Sequence, residues 1–233
     1  MKIKPLASGS AGNCYYIFDG ESSLLIEAGL PIKKIKECLN YRLSEIDGCL
    51  ISHEHGDHSK AVQDLCNAGI DCYMSYGTKK ALDIQHHRIK TFRHRHPVNI
   101  NTFVVKPFSA EHDAEDPVNF LIWSKKTRDK MVYLTDTYYC KHKFQALNYI
   151  MLEINYAADI LNRNVEEGIV PEVHKNRVIK SHMSLKTAKD FLKANDLSQV
   201  KEIWLIHLSS MNSDEERFKE EIKSLTGKPV YVA

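Results

Sequence analysis

A chain of 233 residues is long enough to bury one substantial hydrophobic core. Its 27% charged and 43% hydrophobic residues are ordinary for a globular protein. The net charge of +2 is too small to indicate which kind of partner the protein binds. We therefore predict a single globular domain over residues 1–233.

The ends and the cysteines indicate where such a protein works. The first residues lack the apolar core of a signal peptide, and no later apolar run approaches the length of a membrane span, so we expect a cytoplasmic protein that does not bind a membrane, and we infer no protein partner. No two cysteines form a CxxC pair, which favours reduced core thiols over disulfides or zinc ligands. The six are Cys14, Cys38, Cys49, Cys66, Cys72 and Cys140.

The N-terminal region predicts strands at 2–7, 14–18 and 23–26 and a helix at 31–39. The loop between the first two strands, residues 7–13, contains Ser10 and Asn13 among small residues. Such a loop permits close backbone approach and can bind anions, but a plain hairpin turn explains it as well.

The stretch from Ile51 to His58 is the richest in metal-ligand groups. It reads Ile-Ser-His-Glu-His-Gly-Asp-His and lies between a predicted buried strand at 48–52 and a predicted helix at 61–66. In an extended segment His53 and His55 project from one side, and Gly56 would let the chain turn before Asp57 and His58. We predict a metal-binding turn; the alternative is a solvated polar turn with incidental histidines.

A basic stretch at residues 86–96 follows a predicted strand at 70–73 and a predicted helix at 78–84. It is compatible with a phosphate-tracking surface, with Phe92 and Tyr76 nearby for contact with bases. It is equally compatible with a solvated edge strand that charge protects from aggregation.

Further potential ligands follow predicted strands. Strands are predicted at 102–108, 118–124, 130–134, 149–153, 200–206 and 229–232. The first precedes His112, the third precedes Asp136 and the fifth precedes His207, at strand ends where functional sites gather. Helices are predicted at 158–167, 171–180, at 185–194 with Ser184 as N-cap, and up to residue 225 with Ser213 as N-cap.

Together these strand-end residues form two ligand sets. His53, His55 and His112 would bind one ion, Asp57, His58 and His207 a second, and Asp136 would bridge them. Nitrogen and oxygen donors favour Zn²⁺ and are compatible with Mn²⁺ or Fe. Two such ions at roughly 3.5–4 Å activate water and stabilise an in-line displacement, so we predict hydrolysis.

The order of these residues resembles the ligand series of the metallo-β-lactamase superfamily over nearly the whole chain. That resemblance implies an α/β fold, the αββα sandwich of two mixed β-sheets flanked by helices, with a dinuclear site at their edge. Segments 7–13, 111–118, 134–137, 152–155, 182–184 and 206–209 resemble more narrowly the YycJ/WalJ family, which is linked to DNA exonuclease activity from the 5′ end.

The narrower resemblance assigns further roles. It implies that Ser10 and Asn13 lie near the metals and bind substrate, and that His182 binds phosphate or gives a proton to the leaving oxygen; the alternative for His182 is a structural hydrogen bond. Asp57 and His182 are the candidate catalytic residues. The family usually has Asp where this chain has Glu27, a residue expected to support the turn through hydrogen bonds, and His-Asp where this chain has Tyr156-Ala157.

Three functions remain open from the sequence. The first is a metal-dependent phosphodiesterase, a DNA exonuclease acting from the 5′ end, with RNA or a small phosphodiester as other substrates. The second is a small-molecule hydrolase of the same fold, acting on a cyclic nucleotide, sugar phosphodiester or thioester. The third is a non-catalytic nucleic-acid-binding module that metal stabilises. The seven potential ligands argue against it, because a structural metal site does not need so many.

Overall fold

The computed structural model describes residues 1–93 and 96–233. The described chain divides into two compact units, one of Met1–Ser109 with Ala114–Asp129 and the other of Ala110–Asp113 with Lys130–Ala233. The prediction of a single domain over residues 1–233 stays a prediction.

The first unit contains a mixed sheet of six strands in sequence order. The first three strands run antiparallel and the last three continue in parallel from β3. The strands are β1 Lys2–Ala7, β2 Cys14–Phe18, β3 Ser23–Ile26, β4 Gly48–Leu50, β5 Cys72–Met74 and β6 Ile89–Thr91. Parallel neighbours need crossovers, and the helices between β3 and β6 supply them.

Helices occupy the connections between β3 and β6. They are α1 Ile32–Cys38, α2 Gly56–Ser59, α3 Val62–Asn67 and α4 Tyr76–Leu82, with a 3₁₀ turn at Leu43–Glu45. Ile35 of α1 and Leu65 of α3 belong to one buried cluster with Leu25 of β3 and Ile51. The unit also contains three antiparallel strands, β7 Val98–Ile100, β8 Phe103–Ser109 and β9 Val118–Ser124.

The second unit contains four parallel strands in the order β10, β11, β12 and β13. Their bounds are β10 Lys130–Leu134, β11 Tyr149–Glu153, β12 Glu202–Ile206 and β13 Val230–Val232. The helices of this unit are α5 Ala158–Glu166, α6 Glu172–Ser181, α7 Leu185–Ala194 and α8 Glu215–Thr226. Because parallel strands end at the same edge, the residues after β10, β11 and β12 are neighbours.

Most predicted elements are confirmed within one or two residues, and some details differ. Strand β4 ends at Leu50, two residues before its predicted end. Strand β7 was not predicted, because three residues carry too little alternation. The predicted N-cap Ser213 is wrong: Asp214 accepts the hydrogen bond of Arg217 N at 3.0 Å, while Ser213 donates to the Ser209 carbonyl. Within the described residues, no helix has the length and apolarity to cross a membrane.

Candidate metal centre

The histidine-rich turn in the first unit directs several imidazoles toward one another. His53 Nε2 lies 3.0 Å from His55 Nδ1, and the His53 ring lies 4.3 Å from the His58 ring by centroids. Two imidazole nitrogens that both bind a tetrahedral zinc at ~2.0–2.1 Å lie about 3.3 Å apart. The spacing of His53 and His55 therefore fits two ligands of one ion, as their period-two spacing predicted.

The loop after β1 packs against this turn through Asn13. Asn13 is fully buried, and its amide Nδ2 lies 3.2 Å from His58 Nε2 and 3.4 Å from Asp57 Oδ2. Its backbone N donates to the Asp57 carbonyl at 2.8 Å. A Cβ on Gly29 would lie 1.7 Å from that same carbonyl oxygen, so the close approach requires glycine.

The predicted loop residues therefore differ in their positions. Asn13 contacts the histidine-rich turn and is shielded from solvent, whereas Ser10 lies exposed in the loop. Substrate binding by either residue stays a prediction. The close backbone approach that the small residues indicated is present.

Glu27 lies beneath the turn with no exposed surface. Its Oε2 accepts from Ser52 N at 3.2 Å, and its Oε1 lies 3.6 Å from His58 Nδ1. The backbone of Glu27 adopts φ 66°, a left-handed conformation that costs a non-glycine residue about 1–2 kcal/mol. These contacts join Glu27 to the turn, and its role in supporting metal ligands stays a prediction.

Gly56, which was expected to let the chain turn, shows no special need for glycine. It is the first residue of α2 and has an ordinary negative-φ helical backbone, and a Cβ there would meet nothing within 4 Å. The chain does turn into α2 at Gly56, but the turn uses backbone that other residues can also adopt. Helix α2 itself presents Asp57 and His58, since both lie within its four residues.

In the second unit, parallel strands deliver acidic and histidine side chains to one edge. Asp136 follows β10, Glu153 ends β11 and His207 follows β12. Asp136 and His207 have φ of 41° and 54°, strained values that are typical of functional sites. All three side chains are at least 97% buried.

The two carboxylate oxygens of Asp136 face different histidines. Its Oδ2 lies 3.3 Å from His112 Nε2, and its Oδ1 lies 3.4 Å from His207 Nδ1. His112 Nδ1 donates to the Ser181 carbonyl at 2.8 Å, which fixes the proton on Nδ1 and leaves Nε2 as the ligand nitrogen in the neutral ring. A carboxylate whose two oxygens face different histidines in this way is able to bridge two metal ions.

His182 forms a buried pair with Glu153. Its Nδ1 lies 2.6 Å from Glu153 Oε1, and the His182 and His207 rings stack at 5.5 Å. Burial alone would lower the pKa of His182, but the charge of Glu153 and its hydrogen bond outweigh burial and raise that pKa above 6.5. The raised pKa shifts His182 toward its doubly protonated form, in which Nε2 as well as Nδ1 carries a proton.

Glu153 was missed as a site residue by sequence reasoning. Its Oε2 also accepts from Thr137 N at 3.1 Å, so it connects the segments after β10 and before α7. One donor atom each from Asp136, Glu153, His182 and His207 lie within 4.8 Å of one another, a group able to hold a cation. The available signal was a carboxylate ending an otherwise apolar strand between two ligand-bearing strands.

Each unit thus brings together its own predicted residues. The first unit joins His53, His55, Asp57 and His58 with Asn13 and Glu27. The second joins His112, Asp136 and His207 with His182. The combined seven-ligand centre stays a prediction.

Part of the basic stretch matches the edge-strand alternative, and the phosphate-tracking alternative stays a prediction. Strand β6 is an edge strand of the six-stranded sheet, as the charges suggested. Arg88 and Lys90 lie 2.9 and 3.8 Å from the carboxylate of Asp71, which neutralises part of the stretch. His94 and Arg95 lie outside the described residues.

Comparisons with known proteins add family and fold. Residues 24–208 match the sequence profile of the family described as "Beta-lactamase superfamily domain". The chain is 28% identical to Exodeoxyribonuclease WalJ of Streptococcus pneumoniae, over 93% of this chain and 84% of that protein. It is 27% identical to Exodeoxyribonuclease YycJ of Bacillus anthracis, over 93% and 85%.

A solved structure resembles the fold at lower identity. YhfI from Bacillus subtilis, a metallo-beta-lactamase fold protein, superposes with a TM-score of 0.73 at 16% identity, covering 99% of this chain and 95% of that one. The predicted αββα class, with two mixed sheets flanked by helices, is confirmed.

Proposed function

Because this chain belongs to the beta-lactamase superfamily, we propose that it is a metal-dependent phosphodiesterase that degrades DNA as an exonuclease from the 5′ end. The observation that carries the proposal is the pair of ligand clusters, one in the histidine-rich turn and one around Asp136. The two relatives named exodeoxyribonuclease, matched over 93% of this chain, support DNA as the substrate.

The chemistry of the donors fits two divalent ions. Imidazole nitrogens and carboxylate oxygens suit Zn²⁺ best, and Mn²⁺ or Fe are compatible. The spacing of His53 and His55 and the fixed tautomer of His112 both favour metal binding. The proposed ligands are His53, His55 and His112 for one ion, Asp57, His58 and His207 for the other, and Asp136 for both.

Hydrolysis requires a nucleophile, charge neutralisation and a proton for the leaving oxygen. When bound, divalent ions lower the pKa of water and neutralise phosphate oxygens. His182 donates its Nε2 proton to the leaving oxygen as the phosphorus–oxygen bond breaks. Glu153 holds His182 in position through Nδ1, since that contact spans 2.6 Å. Asp57 is the second proposed catalytic residue, with Ser10 and Asn13 proposed toward the substrate.

The same proposal includes the place of action. All six cysteines are free, which suits a reducing compartment, and we assign the enzyme to the cytoplasm. There it would act on DNA ends.

Metal content and nuclease activity, measured on the same samples, test the proposal. We expect His55→Ala and Asp136→Ala each to lose bound metal and at least about 100-fold in DNA hydrolysis, because one ligand of a shared centre is removed. The matched control is His174→Ala, which removes an exposed histidine of α6 and should keep both properties. Equal activity in all four proteins would refute the assignment.

A further inference from the structure

A pocket of about 220 Å³ opens in the first unit beside α4, β8 and the start of β9. Its wall combines aromatic rings and a proline with polar groups, which include two serines and a carboxylate. The residues that matter are Tyr76, Phe92, Pro107, Phe108 and Asp116. Its volume is below the roughly 300–1,000 Å³ of pockets for drug-sized ligands, so it suits a single planar ring system.

The pocket is hydrogen-bonded to the histidine-rich turn. Val118, which lines it, donates its backbone N to the Ser52 carbonyl at 3.0 Å. Glu115 N, next to Asp116 in the chain, donates to Glu54 Oε1 at 2.8 Å. Ser52 and Glu54 flank His53, so the pocket wall lies directly beside a proposed metal ligand.

The walls are built to receive a flat ring. Phe92 is 8% exposed and is held by the rings of Tyr73 and Phe120, at centroid distances of 6.4 and 5.8 Å. Tyr76 stands at the rim with 69% of its surface exposed. Stacking of bases on such aromatic rings is the usual way in which proteins grip single-stranded DNA.

From this geometry we propose that the pocket binds one nucleobase of the DNA strand, next to the phosphate under attack. The inference rests on the proposed function and extends it to substrate recognition. The Asp116 carboxylate accepts a hydrogen bond from an exocyclic amino group, which cytosine, adenine and guanine have and thymine lacks. The site therefore prefers an amino-bearing base to thymine.

Binding without hydrolysis tests this directly. The probe is a single-stranded oligonucleotide with 2-aminopurine, a fluorescent amino-bearing base, at its first, second or third position, titrated into metal-free protein. Stacking against Tyr76 quenches the fluorescence at one of these positions. Tyr76→Ala should abolish the quenching and weaken binding about tenfold, since stacking contributes ~1–3 kcal/mol per base.

The matched control is Tyr41→Ala, a tyrosine of the same unit that is 72% exposed and does not line the pocket. It should bind as the wild type does. Asp116→Ala should remove the preference for cytosine over thymine at the quenched position while leaving the quenching in place.

The outcomes separate this inference from the proposed function. Quenching and binding that are the same in Tyr76→Ala as in wild type overturn the pocket assignment, whether or not the wild type hydrolyses DNA. Loss of quenching and of binding in Tyr76→Ala, with neither lost in Tyr41→Ala, supports the pocket assignment. It does so even if the metal-loaded wild type fails to hydrolyse DNA and the proposed exonuclease is wrong.

Discussion

Replacing Glu153 by Gln removes one charge and leaves the shape of the side chain nearly unchanged. Glu153 accepts hydrogen bonds at both oxygens, from His182 Nδ1 at 2.6 Å and Thr137 N at 3.1 Å. A glutamine has one acceptor oxygen, so one donor must face an NH₂ group. A hydrogen bond to a charged group contributes about 1.5–3 kcal/mol, and loss of such a supporting partner typically lowers activity about 10–100-fold.

A double-mutant cycle on DNA hydrolysis measures whether Glu153 acts through His182. We expect Glu153→Gln to lower kcat about 10–100-fold with little change in KM, and the double variant with His182→Ala to be no slower than His182→Ala alone. Metal content is measured on every variant. Glu202→Gln, on the neighbouring strand, is the matched control.

A positioning role for Glu153 is refuted if the kcat losses of the two single variants multiply in the double variant. It is also refuted if Glu153→Gln loses activity only in proportion to lost metal, because Glu153 would then be a ligand and not the residue that positions His182.

Two further predictions concern stability. Gly29→Ala should destabilise the protein by at least about 3 kcal/mol, because its Cβ would lie 1.7 Å from the Asp57 carbonyl oxygen. Gly56→Ala, in the turn that Gly29 contacts, should be neutral or stabilising by up to about 1 kcal/mol, and urea unfolding measures both. Burial raises the pKa of Asp19, but hydrogen bonds from Ser124 and three other donors hold it below 3.8. Asp19→Asn should therefore cost about 2–3 kcal/mol near neutral pH, and this deficit should shrink as pH falls through the folded-state pKa of Asp19, where the wild type also becomes neutral; a deficit that is constant with pH would contradict the assignment.

Local pattern predicted most of the fold because strands and helices here carry clear periodicity. Strand β11, Tyr149–Glu153, is wholly buried, and α7 begins after an N-cap, Ser184, that accepts from Thr187 N. The ligand turn was evident because its residues are adjacent in sequence. Strand β7, next to the basic stretch, offers only three residues of alternation, and it was too short for periodicity to detect.

The supporting residues of the site were harder to predict, because their roles depend on contacts between distant positions. Asn13 is 44 residues from Asp57, and His182 is 29 from Glu153, and no local pattern encodes either contact. Left-handed backbone at Glu27, Asp136 and His207 is equally hard to read from sequence, since only a few per cent of non-glycine residues adopt it.

Digestion of a DNA strand labelled at its 3′ end, resolved by length over time, tests the central claim most directly. With divalent metal, the wild type should shorten the strand progressively from its 5′ end, and Asp136→Asn or a chelator should stop the reaction. Undegraded DNA under all metal conditions, or equal degradation by Asp136→Asn, would contradict a metal-dependent exonuclease centred on Asp136.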